Sequence, residues 1–376
     1  MTALSLAKIS GDSDQECIAL NRLATVNSML GNYPAARSYT DQALVLGRQS
    51  GNIHQEAAST TIQAMICTAL GQYTRSLDLF DRARKYLDLC GLADGDTDLR
   101  ILRLKAGVHG WKSEYREARA IYVYVLGKTS PDISPFNYGF TIHEMVTLDI
   151  VTGESSQDIL KNMDTARQVF SDMHHTHSIT LCDTVLGNLK LREGDMSAAK
   201  VLLEESFNSL RGYDAEGMLY CLEKLGDVSR WSAHNISFMS NWTVLFLGQA
   251  LQGKNRLAIH QALQFLGDVA VADGDDATAN SLFDVALDGF TQMDVHLSRG
   301  ICLIRLGDLP QRRGDSQNAC DFWKAARPLF VRSSQTRWVE QVNERLIASS
   351  DCSELPPLKD AGERKKEGIN DATIAY

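Results

Sequence analysis

Apolar residues fall at three- and four-residue steps through most of the chain, the spacing that lines one face of an α-helix. The helical blocks close at Gly31, Gly71, Gly194, Gly274 and Gly314, and glycine adopts the left-handed conformation that ends a helix at little steric cost. Asn32, Asp195, Asp275 and Asp315 follow four of these glycines, placed to cap the next helix. The second half is punctuated by Leu186-Gly187-Asn188, Leu225-Gly226-Asp227, Leu266-Gly267-Asp268 and Leu306-Gly307-Asp308, whose glycines lie 39, 41 and 40 residues apart. A fixed period near 40 predicts stacked repeats, which build surfaces rather than reaction centres.

The repeat reaches beyond the glycine. Gly267, Gly274, Ala279, Phe283 and Ala286 are matched forty residues on by Gly307, Gly314, Ala319, Trp323 and Ala326. Gly31, Tyr33 and Ala43 recur as Gly71, Tyr73 and Ala83, and a looser unit carries Tyr115, Ala118 and Tyr122. Small residues such as Ala36, Ala279 and Ala319 let two antiparallel helices approach, and Phe80, Tyr122, Phe283 or Trp323 fills the space between units. A glycine inside a helix costs about 1 kcal/mol relative to alanine. Its recurrence in the first helix of each unit implies close backbone contact with the paired helix.

These residues resemble the tetratricopeptide repeat, in a variant of about forty residues. The stretch from Tyr220 to Leu346 is more narrowly similar to repeat proteins of mushroom-forming fungi. The resemblance implies an all-α fold: an α-α superhelix, or solenoid, of stacked helix-turn-helix repeats. About eight helical hairpins are expected across 15–348, irregular near 129–153 and 232–252, with a capping helix at 335–346. Segment 1–14 is expected to be flexible or partly helical, and the polar segment 349–376, with Pro356-Pro357 and a mixed-charge run from Glu363, to be a flexible tail.

Composition narrows the partner. A net charge of −9 disfavours nucleic acid or an anionic membrane, because phosphate binding needs clustered cations. No run of eighteen apolar residues is present, and Lys8 interrupts the start of the chain, so neither a membrane span nor a signal peptide is expected. The expected location is cytoplasmic, with the eight scattered cysteines reduced and mostly buried.

Two candidate chemistries fail on context. Gly248-Gln249-Ala250-Leu251-Gln252-Gly253-Lys254-Asn255 fits a phosphate-binding loop until Asn255, where Ser or Thr is required, and it lacks a preceding strand. His174, His175 and His177 lack both helical i, i+4 spacing and a suitably placed Cys or Glu ligand, and read as a helix junction. No catalytic residue, metal or cofactor is expected, and the chain reads as a non-enzymatic interaction scaffold.

A protein or peptide partner is expected in the concave groove lined by successive first helices. The residue after each internal glycine supplies a ladder, Asn188, Asp227, Asp268 and Asp308, with Arg192, Arg230, Arg305 and Arg312 nearby. Tyr220, Glu223, Gln261 and Gln264 are expected on the same face. The competing expectation pairs each acid with an arginine of its own or the adjacent helix. Asn21, Thr25, Arg100 and Arg103 match a chaperone carboxylate clamp poorly. The resemblance also allows a sensor module of a signalling ATPase system encoded apart from the ATPase.

Overall fold

The computed structural model describes residues 3–231, 236–349 and 352; for 230, 231 and 236–239 it describes the backbone alone. Among the described residues there are eighteen α-helices and no strand. Helix α1 (Ala3–Ser10) precedes eight hairpins. The first four are α2 (Ser13–Met29) with α3 (Tyr33–Ser50), α4 (Ile53–Ala69) with α5 (Tyr73–Leu89), α6 (Asp96–Trp111) with α7 (Tyr115–Lys128), and α8 (Pro135–Thr152) with α9 (Ser156–Asp172). The next four are α10 (Thr176–Glu193) with α11 (Met196–Leu210), α12 (Ala215–Trp231) with α13 (Ile236–Gln252), α14 (Arg256–Asp273) with α15 (Asp276–Gln292), and α16 (His296–Arg312) with α17 (Ser316–Arg332). Helix α18 (Thr336–Ala348) closes the stack.

The chain is therefore an all-α superhelix of tetratricopeptide-like hairpins. Its turns follow the local chemistry: Gly274 and Gly314 take φ of 82° and 79°, and the Asp275 and Asp315 side chains accept hydrogen bonds from Thr278 N and Asn318 N at 3.0 and 3.3 Å. Asp195 caps α11 in the same way, whereas the Asn32 side chain makes no cap and donates to Asn27 instead. Slippage of the repeat near 129–153 is confined to the turn before Pro135, since α8 runs unbroken to Thr152. The phosphate-loop look-alike lies across the α13–α14 turn, where Asn255 Oδ1 accepts from Ala258 N at 3.0 Å and so caps α14. Strand–loop–helix geometry is absent there.

The internal glycines mainly make room for side chains, and at Gly307 the Ala319 carbonyl of the paired helix also comes close. A Cβ at Gly307 would lie 2.6 Å from Trp323 Nε1, and one at Gly187 would lie 2.9 Å from Leu203 Cγ. At Gly267 it would overlap the Phe283 ring, while Gly226 makes room for Phe265 of the following first helix. Each missing side chain is the slot into which a large apolar one packs, so the expectation of backbone contact holds in part at Gly307 and is otherwise corrected to a knob in a glycine hole.

One feature lies beyond any forty-residue pattern. The superhelix completes a turn and touches itself after nine helices. His296 N–H donates to Lys112 O at 3.4 Å, Leu297 N–H to Ser113 Oγ at 3.2 Å, and Gln335 Nε2 to Val151 O at 3.3 Å. Each pair is 184 residues apart. Ser113 takes the left-handed conformation, φ 66°, that sister turns give to glycine, which aims its hydroxyl at Leu297. Apolar contacts join the same seam, for Phe80, Leu87 and Val108 share a buried cluster with Phe290, Met293 and Val295.

The expectation of uniformly reduced thiols is also corrected. Cys320 and Cys352 form a disulfide, Cα atoms 5.7 Å apart, while five of the remaining six cysteines are buried thiols and Cys90 is exposed. The bond ties the residue beyond α18 to α17 across 32 residues of chain. Closing a loop of that length typically contributes about 2–4 kcal/mol. Reduction, or Cys352→Ser, is expected to speed amide exchange in α18 by a large factor while leaving α2–α5 unchanged. Equal exchange in α18 with and without reductant would refute this.

Candidate functional site

First helices α4 to α16 face inward, and their inner faces line a solvent-open lumen of about 620 Å³. Helical periodicity decides which residues enter it. On α12, Glu216, Tyr220, Glu223, Lys224 and Asp227 fall at three- and four-residue steps along one stripe. Leu181, Thr184, Val185 and Asn188 of α10 and Leu257, Gln261, Gln264 and Phe265 of α14 repeat that arrangement on either side. The facing wall comes from α6 and α8, with Trp111, Phe140, His143 and Glu144, and Trp338 of α18 contributes from the end.

The lining is aromatic and acidic. Five carboxylates line the cavity, from Glu144, Asp214, Glu216, Glu223 and Asp227, against the single ammonium of Lys224. Lys224 Nζ lies 2.8 Å from Glu223 Oε1 and 3.6 Å from Asp227 Oδ2, and 5.4 Å from the Tyr220 ring centroid. Burial opposes its charge, but Glu223 and Asp227 outweigh it and hold the ammonium protonated. Asn188 Nδ2 donates to Tyr220 Oη at 2.8 Å, and burial pushes the phenol up to about 12. Glu144 is ion-paired to the buried Arg103, whose guanidinium lies 5.1 Å from the Phe140 ring centroid. Burial holds His143 down to about 4, so it is neutral at pH 7. Asp214 is engaged twice, accepting from Gly217 N at 2.9 Å and lying 3.2 Å from His177 Nε2.

Glu216 differs from these. It is exposed to the water of the lumen, and among the described residues no hydrogen bond or ion pair holds its carboxylate. Desolvation, then Asp214 and Glu144, push its pKa up to about 7. A smaller recess of about 50 Å³ opens beside it, lined by Tyr73, Trp111, Leu219, Tyr220 and Leu257 among others.

The residues singled out from sequence divide into two groups. Asn188, Tyr220, Glu223, Asp227, Gln261 and Gln264 all line the lumen. The others serve the wall between helices. Asp268 pairs with Arg305 at 2.8 Å, and Asp308 takes Arg345 Nε and Nη2 at 2.9 and 3.1 Å. Arg192 donates to Ser156 Oγ at 2.9 Å and to Ile150 O, and Arg312 lies 3.8 Å from Asp276. The Arg230 side chain lies outside the described residues. A readable signal separates the acids: Asp268 and Asp308 each have an arginine 37 residues on, whereas Asp227 has Gln264. Glu216, Trp111 and Glu144 escaped the sequence reading because nothing local marks which stripe of a first helix turns inward.

One further group of potential ligands converges at the seam, where Glu114, Asp294 and His296 come together. Lys112 Nζ stands between the carboxylates, 2.6 Å from Glu114 Oε1 and 3.5 Å from Asp294 Oδ2. That ammonium, with Arg299 3.7 Å from Asp294, supplies the cation such a group requires. No helix among the described residues is long and apolar enough to cross a membrane.

Comparison with one solved structure agrees with the architecture. The crystal structure of a Rap protein complexed with competence and sporulation factor superposes with a TM-score of 0.60 at 8% identity, covering 89% of this chain and 99% of that one. The APC/C hetero-tetramer Cut9-Hcn1 matches at TM-score 0.38 and 15% identity, over 93% of this chain and 86% of that one. BtubC from P. vanneervenii matches at TM-score 0.33 and 12% identity, over 81% and 98%. No family model matches the chain, and no curated protein matches it in sequence.

Proposed function

We propose that this protein is a non-enzymatic interaction module that takes a short segment of a partner protein into the lumen of its superhelix. The observation that carries the reading is the solvent-open lumen itself, built largely by the inner stripes of seven consecutive first helices. Its volume lies within the roughly 300–1,000 Å³ of sites that engulf a compact ligand, which favours a few residues of peptide over a folded domain. Aromatic rings, with Asn188, Gln261 and Gln264 beside them, suit a peptide's mixture of apolar side chains and backbone amides. Most of the ionisable lining groups are engaged with one another or with Arg103, an arrangement that suits binding better than proton transfer. The same fold in the Rap protein accommodates competence and sporulation factor, which supports use of this architecture for capture.

Selection of phage-displayed random heptapeptides on the immobilised full chain tests the proposal. Wild type is expected to enrich a family of related sequences. Gln261→Trp, which fills part of the lumen without touching the apolar core, is expected to lose at least tenfold in affinity for them. Absence of enrichment, or undiminished binding by Gln261→Trp, would overturn the reading.

A further inference from the structure

We infer that the lumen carries a subsite for one positively charged side chain, with the guanidinium or ammonium group seated in the recess between Trp111, Tyr73 and Tyr220 and the Glu216 carboxylate as its counter-ion. The inference deepens the lumen reading and rests on it. Three independent observations converge on it.

The first is electrostatic. Every other lining carboxylate has a partner: Lys224 for Glu223 and Asp227, Arg103 for Glu144, and His177 with the α12 backbone for Asp214. Glu216 has none, and the neighbours that act on it are themselves acids, Asp214 and Glu144. A cation entering from solvent would relieve that repulsion in a place screened less than an open surface.

The second is the shape and lining of the recess. At about 50 Å³ it admits a compact head group rather than a ring system, and Tyr73, Trp111 and Tyr220 are among the residues that line it. Trp111 is 42% exposed, an unusual state for the largest apolar side chain, and it lines this recess. A cation over an aromatic face gains from the ring quadrupole, most of all over Trp. The third is position. Thr68 and Trp111 stand on one coil of the superhelix while Glu216 and Leu257 stand on the next, so one occupant touches both. Glu216 and Glu223 both border the recess, a lining that disfavours an anion.

The same heptapeptide selection, read for composition, tests this. Enriched peptides are expected to share a basic residue at one fixed position. For a synthetic peptide of that family, replacing its arginine with citrulline, which keeps the shape and removes the charge, is expected to weaken binding to wild type by tenfold or more. Binding to Glu216→Gln is expected to be insensitive to that replacement, and this coupling separates a direct contact from a general loss of fold. Since the ionised carboxylate is the binding form, wild-type affinity for the arginine peptide is expected to fall several-fold from pH 7.5 to 6, a dependence that Glu216→Gln abolishes. Enriched peptides with no basic residue, or equal affinity for arginine and citrulline forms, would overturn the subsite and leave the lumen reading standing. No enrichment at all would overturn both.

Discussion

Arg103→Met is expected to lower stability by about 3 kcal/mol, the low end of the range for breaking a buried ion pair. Only 6% of the Arg103 side chain is exposed, and it is the cation paired with Glu144. Burial already raises the Glu144 pKa; Arg103 opposes that rise most strongly, ahead of the Tyr122 hydroxyl. Without the guanidinium the carboxylate is left charged against an apolar wall, though a quarter of its side chain still reaches lumen water, which keeps the loss from the top of the range. The pH dependence follows from the sign. An acid whose folded pKa lies above its unfolded value, about 4.3 for Glu, destabilises the fold above that unfolded value and not below it. The deficit of Arg103→Met should therefore shrink as pH falls towards 4, where Glu144 is protonated in both states. Arg103→Met/Glu144→Leu should recover most of the loss at pH 7.5. Because repeat arrays can unfold in parts, amide exchange in α6 and α8 is the appropriate measurement beside urea denaturation. A single variant within about 0.5 kcal/mol of wild type would show that the pair contributes nothing net.

Trp323→Ala should cost still more, about 3–5 kcal/mol. The ring is 3% exposed, occupies the slot left by Gly307, and packs with Ile304, Phe330, Val342 and Leu346. Its Nε1–H donates to Asp308 at 3.1 Å, but the acid keeps both Arg345 bonds, so the loss is one of packing rather than of a stranded charge. Trp323→Phe, which refills most of the slot, should recover more than half. Comparable denaturation midpoints for Trp323→Ala and wild type would mean the slot collapses freely, contrary to the close packing described.

What the sequence made legible follows from the range over which each interaction acts. Hairpins are local, so Gly274, Asp275 and Ala279 announce a turn, a cap and a helix contact within a few residues, and the architecture could be read from them. Gly307 announced a close approach, yet it could not say that the approaching group was Trp323's ring. The seam joining Lys112 and Ser113 to His296 and Leu297 had no local mark at all, because its two sides lie half a chain apart in sequence. The Leu-Gly-Asp punctuation misled in a specific way. It treated four equivalent positions as one ladder, and a second offset, 37 residues to Arg305 and Arg345 but to Gln264 from Asp227, decides which acids are neutralised between helices.

The self-contact of the coil has a consequence for how such a chain can change over evolutionary time. An open solenoid tolerates gain or loss of a hairpin anywhere, because each unit recognises only its neighbours. Here the Ser113 hydroxyl must meet Leu297, and Val151 must meet Gln335, one full turn later. Deleting or duplicating one unit between them would bring noncomplementary turns together and leave the seam unmade. The number of hairpins per turn is thereby held by geometry, and length variation is expected to collect outside the closed stretch, before α2 and after α18.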